Sequence, residues 1–229
     1  ARMGLWTMRM EILQDIVHAE QLALVGEPQI VDLRDIGFMV LNKTLNTPAI
    51  LECKGPAFML DNKEGFFAGT HYYPSTSWWE WAWKEFYPLK VSEDFAAMRR
   101  AGYRIVRVWT DPVIDEKVLR SMDVAIQLAS DNGIVLDICV FTQWVRQMGF
   151  ERPSGEHVLF EYRNIQDFNV VSFSLRNLDL QREFVSILGR RWKNAGNIFY
   201  NLANEVYLKD PDELQMDKEV ANWEDIPDN

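Results

Sequence analysis

Cysteine, histidine and basic residues are all scarce in this chain of 229 residues. The two cysteines, Cys53 and Cys139, are too few for a disulfide scaffold, and neither stands at a metal-ligand spacing. Both read as buried free thiols. The three histidines (His18, His71 and His157) lie far apart, without an HExxH or paired-histidine pattern, so neither a metal nor a cofactor is expected. Lysine and arginine total 24 against 34 aspartates and glutamates, a formal net charge of -10. That balance disfavours nucleic acid and anionic membrane as partners, because both are bound by basic surfaces. Charges interrupt every apolar run well short of the roughly 18 residues of a membrane-spanning helix. The opening stretch ARMGLWTMRMEILQDIV is charged throughout and lacks the apolar core of a signal peptide, which leans the expected location toward the cytoplasm. What is present is ordinary globular usage, 48% hydrophobic and 25% charged, with one excess: nine tryptophans. So many large amphipathic rings point to flat stacking surfaces as well as core.

Residues 1–64 differ in rhythm from the rest. Apolar residues at Ile12, Leu13, Ile16, Val17, Leu22 and Leu24 roughly fit one helix face, which predicts a helix within Leu5–Val25. Short strands or a hairpin are expected over Ile30–Leu41 and Ala49–Leu60, which are punctuated by Gly37, Pro48, Gly55 and Pro56. From Gly65 the pattern becomes regular. Strand-like runs at 65–74, 103–109, 134–141 and 197–206 alternate with helical runs at 92–102, 114–133 and 177–196. Ser92 is the expected N-cap of the first helix, with Asp94 in its first turn, and Gly102, Gly133 and Gly196 are the expected helix stops. Near-continuous apolar strands separated by helices belong to a parallel sheet covered on both faces, so the fold class is α/β.

The sharpest chemical signal is LANEV (202–206), where Asn204 and Glu205 end an apolar strand. In a βα-barrel the catalytic groups stand at the carboxyl ends of strands. A carboxylic acid beside an amide suits sugar chemistry there: the acid protonates a departing glycosidic oxygen and the amide holds a sugar hydroxyl. These two residues alone are equally compatible with a glutamate that merely caps the next helix.

Four features taken in order carry a resemblance. GTHYYP (69–74), FAAMRRAGYRIVRVW (95–109), Arg107 near the end of the second strand, and QREFVSILGRRWKNAGNIFYNLANEV (181–206) resemble the first half of clan A glycoside hydrolases. These are the retaining (β/α)8 TIM barrels that include cellulases, mannanases and β-galactosidases. The resemblance runs from Gly65 to Val206 and implies a division into an N-terminal extension (1–64) and the first four βα units of a barrel (65–229). It implies a retaining glycosidase of β-linked glycans, with Glu205 as general acid/base supported by Asn204 and Arg107. In the family the matching arginine hydrogen-bonds the nucleophilic glutamate and keeps it ionised. Taken alone, Arg107 could equally be a surface residue or pair locally with Asp111.

Sugar rings stack on aromatic faces, and tryptophans around a barrel mouth suit glycan subsites. Trp78 and Trp79 in the run WWEWAW (78–83), Trp109 and Trp144 are the candidates, with the rest of that run expected to pack as core. His71, Tyr72 and Tyr73 alternate along a strand, so His71 and Tyr73 share a face and are assigned to substrate. FTQW (141–144) stands where many family members carry a histidine. Only 23 residues follow Val206, whereas a complete barrel needs about 250 in all. The family's seventh-strand nucleophile therefore has no counterpart here. The expected partners are a carbohydrate substrate and a missing barrel half, supplied by a longer chain or another subunit. A non-catalytic carbohydrate-binding or scaffold half-barrel is the alternative.

Overall fold

The computed structural model describes residues 4–13, 30–41, 44–75, 82–110, 113–142, 149–160 and 175–204. Strands β1 (Gly4–Leu13) and β2 (Ile30–Val40) pair antiparallel, Gly4 opposite Val40 and Leu13 opposite Ile30. A helix was the expectation for the first of these. The two-residue period of Trp6, Met8, Met10 and Ile12 against Thr7, Arg9 and Glu11 is the signal that overrides it, because strand side chains alternate between faces. The remainder of that expected helix lies outside the described residues. A small antiparallel sheet follows, made of β3 (Leu51–Lys54), β4 (Ala57–Leu60) and β5 (Lys63–Glu64). Cys53 of β3 is exposed, contrary to the expectation of a buried thiol.

The next elements in the chain are β6 (Gly69–His71), α1 (Pro88–Arg100), β7 (Ile105–Trp109), β8 (Val113–Ile114), α2 (Glu116–Asp131) and β9 (Val135–Thr142). Strands β10 (Gly149–Glu151) and β11 (His157–Leu159), helix α3 (Leu175–Arg191) and strand β12 (Ile198–Asn204) complete the described elements. Four strands form a parallel sheet in the order β6-β7-β9-β12, which is also their order in the chain. Helices α1, α2 and α3 fall in the three successive connections. A sheet that advances one strand at a time, with crossovers of one hand, keeps its helices on one face, as in a barrel; a doubly wound sheet reverses its order midway.

Helix boundaries follow capping chemistry with two departures from expectation. Helix α2 opens as its sequence dictates: the Asp115 side chain accepts from the Val118 N–H at 2.9 Å. Gly102 and Gly133, with φ of 94° and 64°, take the left-handed conformation that follows α1 and α2. Helix α1, however, starts at Pro88 and not after Ser92. Proline at the first helical position has a suitable φ and lacks an N–H that would have gone unpaired. Gly196 does not end α3 either, which stops at Arg191. Its requirement is space: a Cβ there would lie 2.4 Å from the backbone of Ala49.

That close approach belongs to a seam along the amino ends of the parallel strands. The Thr47 and Ile50 N–H groups donate to the Asn194 and Gly196 carbonyls at 3.1 and 3.0 Å. Buried Asn197 accepts from the Thr47 hydroxyl and donates to the carbonyls of Ile126 and Ile134 at 3.0 and 3.2 Å. Arg104 pairs with Asp61 at 2.6 Å and donates to the Gly133 carbonyl at 2.9 Å. Beyond the carboxyl ends, β8, β10 and β11 form a small sheet, and Phe150 stacks on Phe184 of α3 at 5.4 Å. Arg152 grips Glu183 of α3 through two bonds of 2.7 and 2.8 Å, which holds the Glu183 carboxyl below its ordinary pKa.

Candidate functional site

The parallel sheet has two chemically distinct faces. On the helix side Val106, Val108, Leu136, Ile138 and Val140 are buried in the main core. The intervening residues carry the polar and aromatic groups. Register aligns His71, Arg107, Asp137 and Phe199 as one row across the four strands. One pleat closer to the carboxyl ends, Trp109, Cys139 and Asn201 form the next row. Parallel pairing makes such rows share a face.

His71 and Tyr73 converge on Trp109. Tyr73 stacks on it with ring centroids 4.8 Å apart and planes 13° from parallel, and His71 meets it edge-on at 5.0 Å. Tyr72, between them, turns to the other side, where it packs on Phe95 and its hydroxyl donates to Asp94 at 2.9 Å. Trp109 is only 8% exposed, whereas Tyr73 is 42% exposed, so Tyr73 offers the accessible ring of the pair. Trp83 is core: buried beside Phe86, it donates its indole N–H to the Trp109 carbonyl and supports the same strand end.

Arg107 pairs across the strands. Its Nε donates to Oδ2 of Asp137 at 2.7 Å, across the strand pair in register. Asp137 was not singled out from sequence, although a carboxylate inside the apolar run IVLDICVF is the visible signal. It is 6% exposed, and its Oδ1 is buried without a hydrogen-bond partner among the described residues. Burial pushes the Cys139 thiol up from 9.0 to about 12, with Arg107 opposing and Asp137 adding to the shift. Burial likewise raises the Tyr73 hydroxyl to about 12, with the neighbouring Cys139 adding to it. At neutral pH both groups keep their protons, so Tyr73 can donate a hydrogen bond as well as stack.

Asn204 is the last residue of β12, with its backbone in register with Thr142 of β9. Glu205, Trp78, Trp79 and Trp144 lie outside the described residues. Among the described residues no His, Cys, Asp and Glu cluster could hold a metal ion, and no helix is long and apolar enough to cross a membrane.

No family model and no curated protein matches the chain. Solved structures do resemble parts of it. An endo-1,4-β-mannanase from Rhizomucor miehei aligns over 68% of this chain and 48% of its own, at 19% identity and a TM-score of 0.47. A β-mannanase from the blue mussel Mytilus edulis aligns over 69% and 46%, at 15% identity and a TM-score of 0.44. A family 5 glycoside hydrolase from Bacteroides vulgatus aligns over 70% and 35%, at 15% identity and a TM-score of 0.41. The chain spans less than half the length of each of these glycoside hydrolases.

Proposed function

We propose that this chain is the N-terminal portion of a retaining glycoside hydrolase that acts on β-linked glycans. Residues 65–229 are its first half-barrel and residues 1–64 an extension. The observation that carries this reading is the β12–β9 register. Asn204 ends the fourth parallel strand, on the sheet that also bears Arg107, His71 and Trp109, and Glu205 is the next residue in sequence. Phe199 and Asn201 share the face of Asp137 and Cys139.

In this reading Glu205 is the general acid/base and Asn204 holds a hydroxyl of the reacting sugar. Arg107 supports the carboxylate of the nucleophile, which another chain segment or subunit supplies. Tyr73 is the ring on which a neighbouring sugar stacks, with Trp109 packed behind it, and Trp78, Trp79 and Trp144 are the further candidate stacking rings. The same carboxyl must be protonated as the leaving oxygen departs and ionised when it activates water.

Glu205→Gln in the assembled enzyme keeps the shape and abolishes proton exchange. Hydrolysis of unactivated β-glycans should fall by about 10²–10⁴. Activated aryl glycosides should be cleaved in the first step with little loss, and azide should restore turnover as a β-glycosyl azide. Full activity of the Gln variant on unactivated glycans removes Glu205 from the mechanism. The 229-residue chain by itself should not hydrolyse aryl β-glycosides; clear turnover by it overturns the assignment of the nucleophile elsewhere.

A further inference from the structure

The centre of the second sheet face holds an ion pair that stability alone explains poorly. Asp137 is nine-tenths buried on β9 and touches Arg107 through one oxygen, at 2.7 Å from Nε, while the other oxygen has no hydrogen-bond partner among the described residues. A buried carboxylate oxygen left unsatisfied opposes folding, and an ion pair to a partly exposed arginine seldom recovers the desolvation of a buried aspartate. On the opposite face, the positions on either side of these two residues are simply apolar: Val106 and Val108, Leu136 and Ile138. The sheet therefore folds well around hydrocarbon at this level, and the charged pair is kept for something else.

The geometry of arginine says what that is. Its guanidinium is a rigid plane, so a partner that holds Nε also sets the direction of the two terminal nitrogens. Asp137 reaches Nε from the neighbouring strand in register, and His71 flanks Arg107 on the other side in the same row. We infer that Asp137 is a positioning residue: it clamps Arg107 by Nε so that the terminal nitrogens stand at a fixed place in the glycan site. The clamp presupposes the glycosidase reading only in what Arg107 then serves. That Arg107 is held by Asp137 is a claim about this chain alone.

The test uses the 229-residue chain with 15N-labelled arginine. Arg107→Lys assigns the Arg107 Nε–H resonance in nuclear magnetic resonance spectra. In the wild type that proton should exchange with water about tenfold more slowly than those of exposed arginines, as a charge-assisted hydrogen bond requires. Asp137→Asn should remove the protection while the backbone amides of α1 and α2 keep theirs, and Asp137→Glu should restore part of it. An unprotected Nε–H in the wild type, or protection unchanged in Asp137→Asn, overturns the clamp; the wild-type measurement decides even if a variant fails to fold.

A second arm measures binding of manno- and cello-oligosaccharides by calorimetry. Weaker binding by Asp137→Asn, partly rescued by Asp137→Glu, supports the positioning role. Undiminished binding by an Asp137→Asn chain that has lost the Nε–H protection overturns that role. If even the wild type binds neither glycan, the glycan reading fails for this chain, and the exchange data still decide whether Asp137 holds Arg107.

Discussion

The two faces of the parallel sheet obey opposite rules. Toward the helices, β7 and β9 present Val106, Val108, Leu136, Ile138 and Val140, closed over by residues such as Phe95, Met122 and Leu188. On the other face, the same strands carry an arginine, an aspartate, a thiol and a tryptophan, flanked by His71 and Tyr73. The first face is where hydrophobic burial stabilises the fold, and the second is where polar groups are held against that tendency. Alternation along a strand lets one short run do both. The sheet therefore separates stability from chemistry by one residue, and substitutions one position apart should have different consequences.

The largest effect is expected on the helix side. Phe95→Ala removes a fully buried ring and should destabilise the chain by about 3–5 kcal/mol, read from urea unfolding followed by circular dichroism. A loss below about 1 kcal/mol would mean that the helix layer is not the main source of stability. Next comes the seam at the amino ends. Asn197→Ala strands the Thr47 hydroxyl and the carbonyls of Ile126 and Ile134, at about 1–3 kcal/mol, whereas Asn197→Asp should recover only the Thr47 contact.

The thiol on the second face offers a milder test. Folding raises the Cys139 pKa from 9.0 to about 12, so the unfolded chain loses this proton first as pH climbs. The contribution to stability is whole below about pH 9 and is lost as pH rises through about 12. Cys139→Val should flatten that decline in a series of denaturation midpoints. At pH 8 a thiol reagent should modify exposed Cys53 promptly and Cys139 only after unfolding; two fast thiols would mean that the second face is open at that row.

The smallest change in stability is expected at Tyr73, which is half exposed beside Trp109. Tyr73→Ala should shift the unfolding free energy by less than about 1 kcal/mol while weakening oligosaccharide binding measured by calorimetry. A large loss of stability with unchanged binding would move Tyr73 to the first face's role and blur the distinction between the two.

Much of this was legible in the residues because the signals are local. Asp115 caps α2 from three residues away, Gly102 and Gly133 follow helices in the conformation glycine favours, and the runs RIVRVW and IVLDICVF are strands by β-branching and length. The alternation of His71, Tyr72 and Tyr73 foretold that the first and third would share a face. Where two local signals competed, the reading went astray. Helix spacing beyond Ile12 obscured the two-residue period of β1, and a serine followed by acids outweighed Pro88 as a helix start.

The amino-acid order by itself determined the α/β rhythm, the carboxyl ends of α1 and α2 and the placing of Asn204 at the end of a strand, since each rests on contacts within a few residues. Only the tertiary structure decided that Gly196 serves the approach of Ala49, that Asn197 joins Thr47 to two carbonyls, and that Arg107 pairs with Asp137. Those contacts join positions 30 to 150 residues apart. They exist only once strand register is set, and register is fixed by burying a whole face of the sheet, which no local run of residues can do alone.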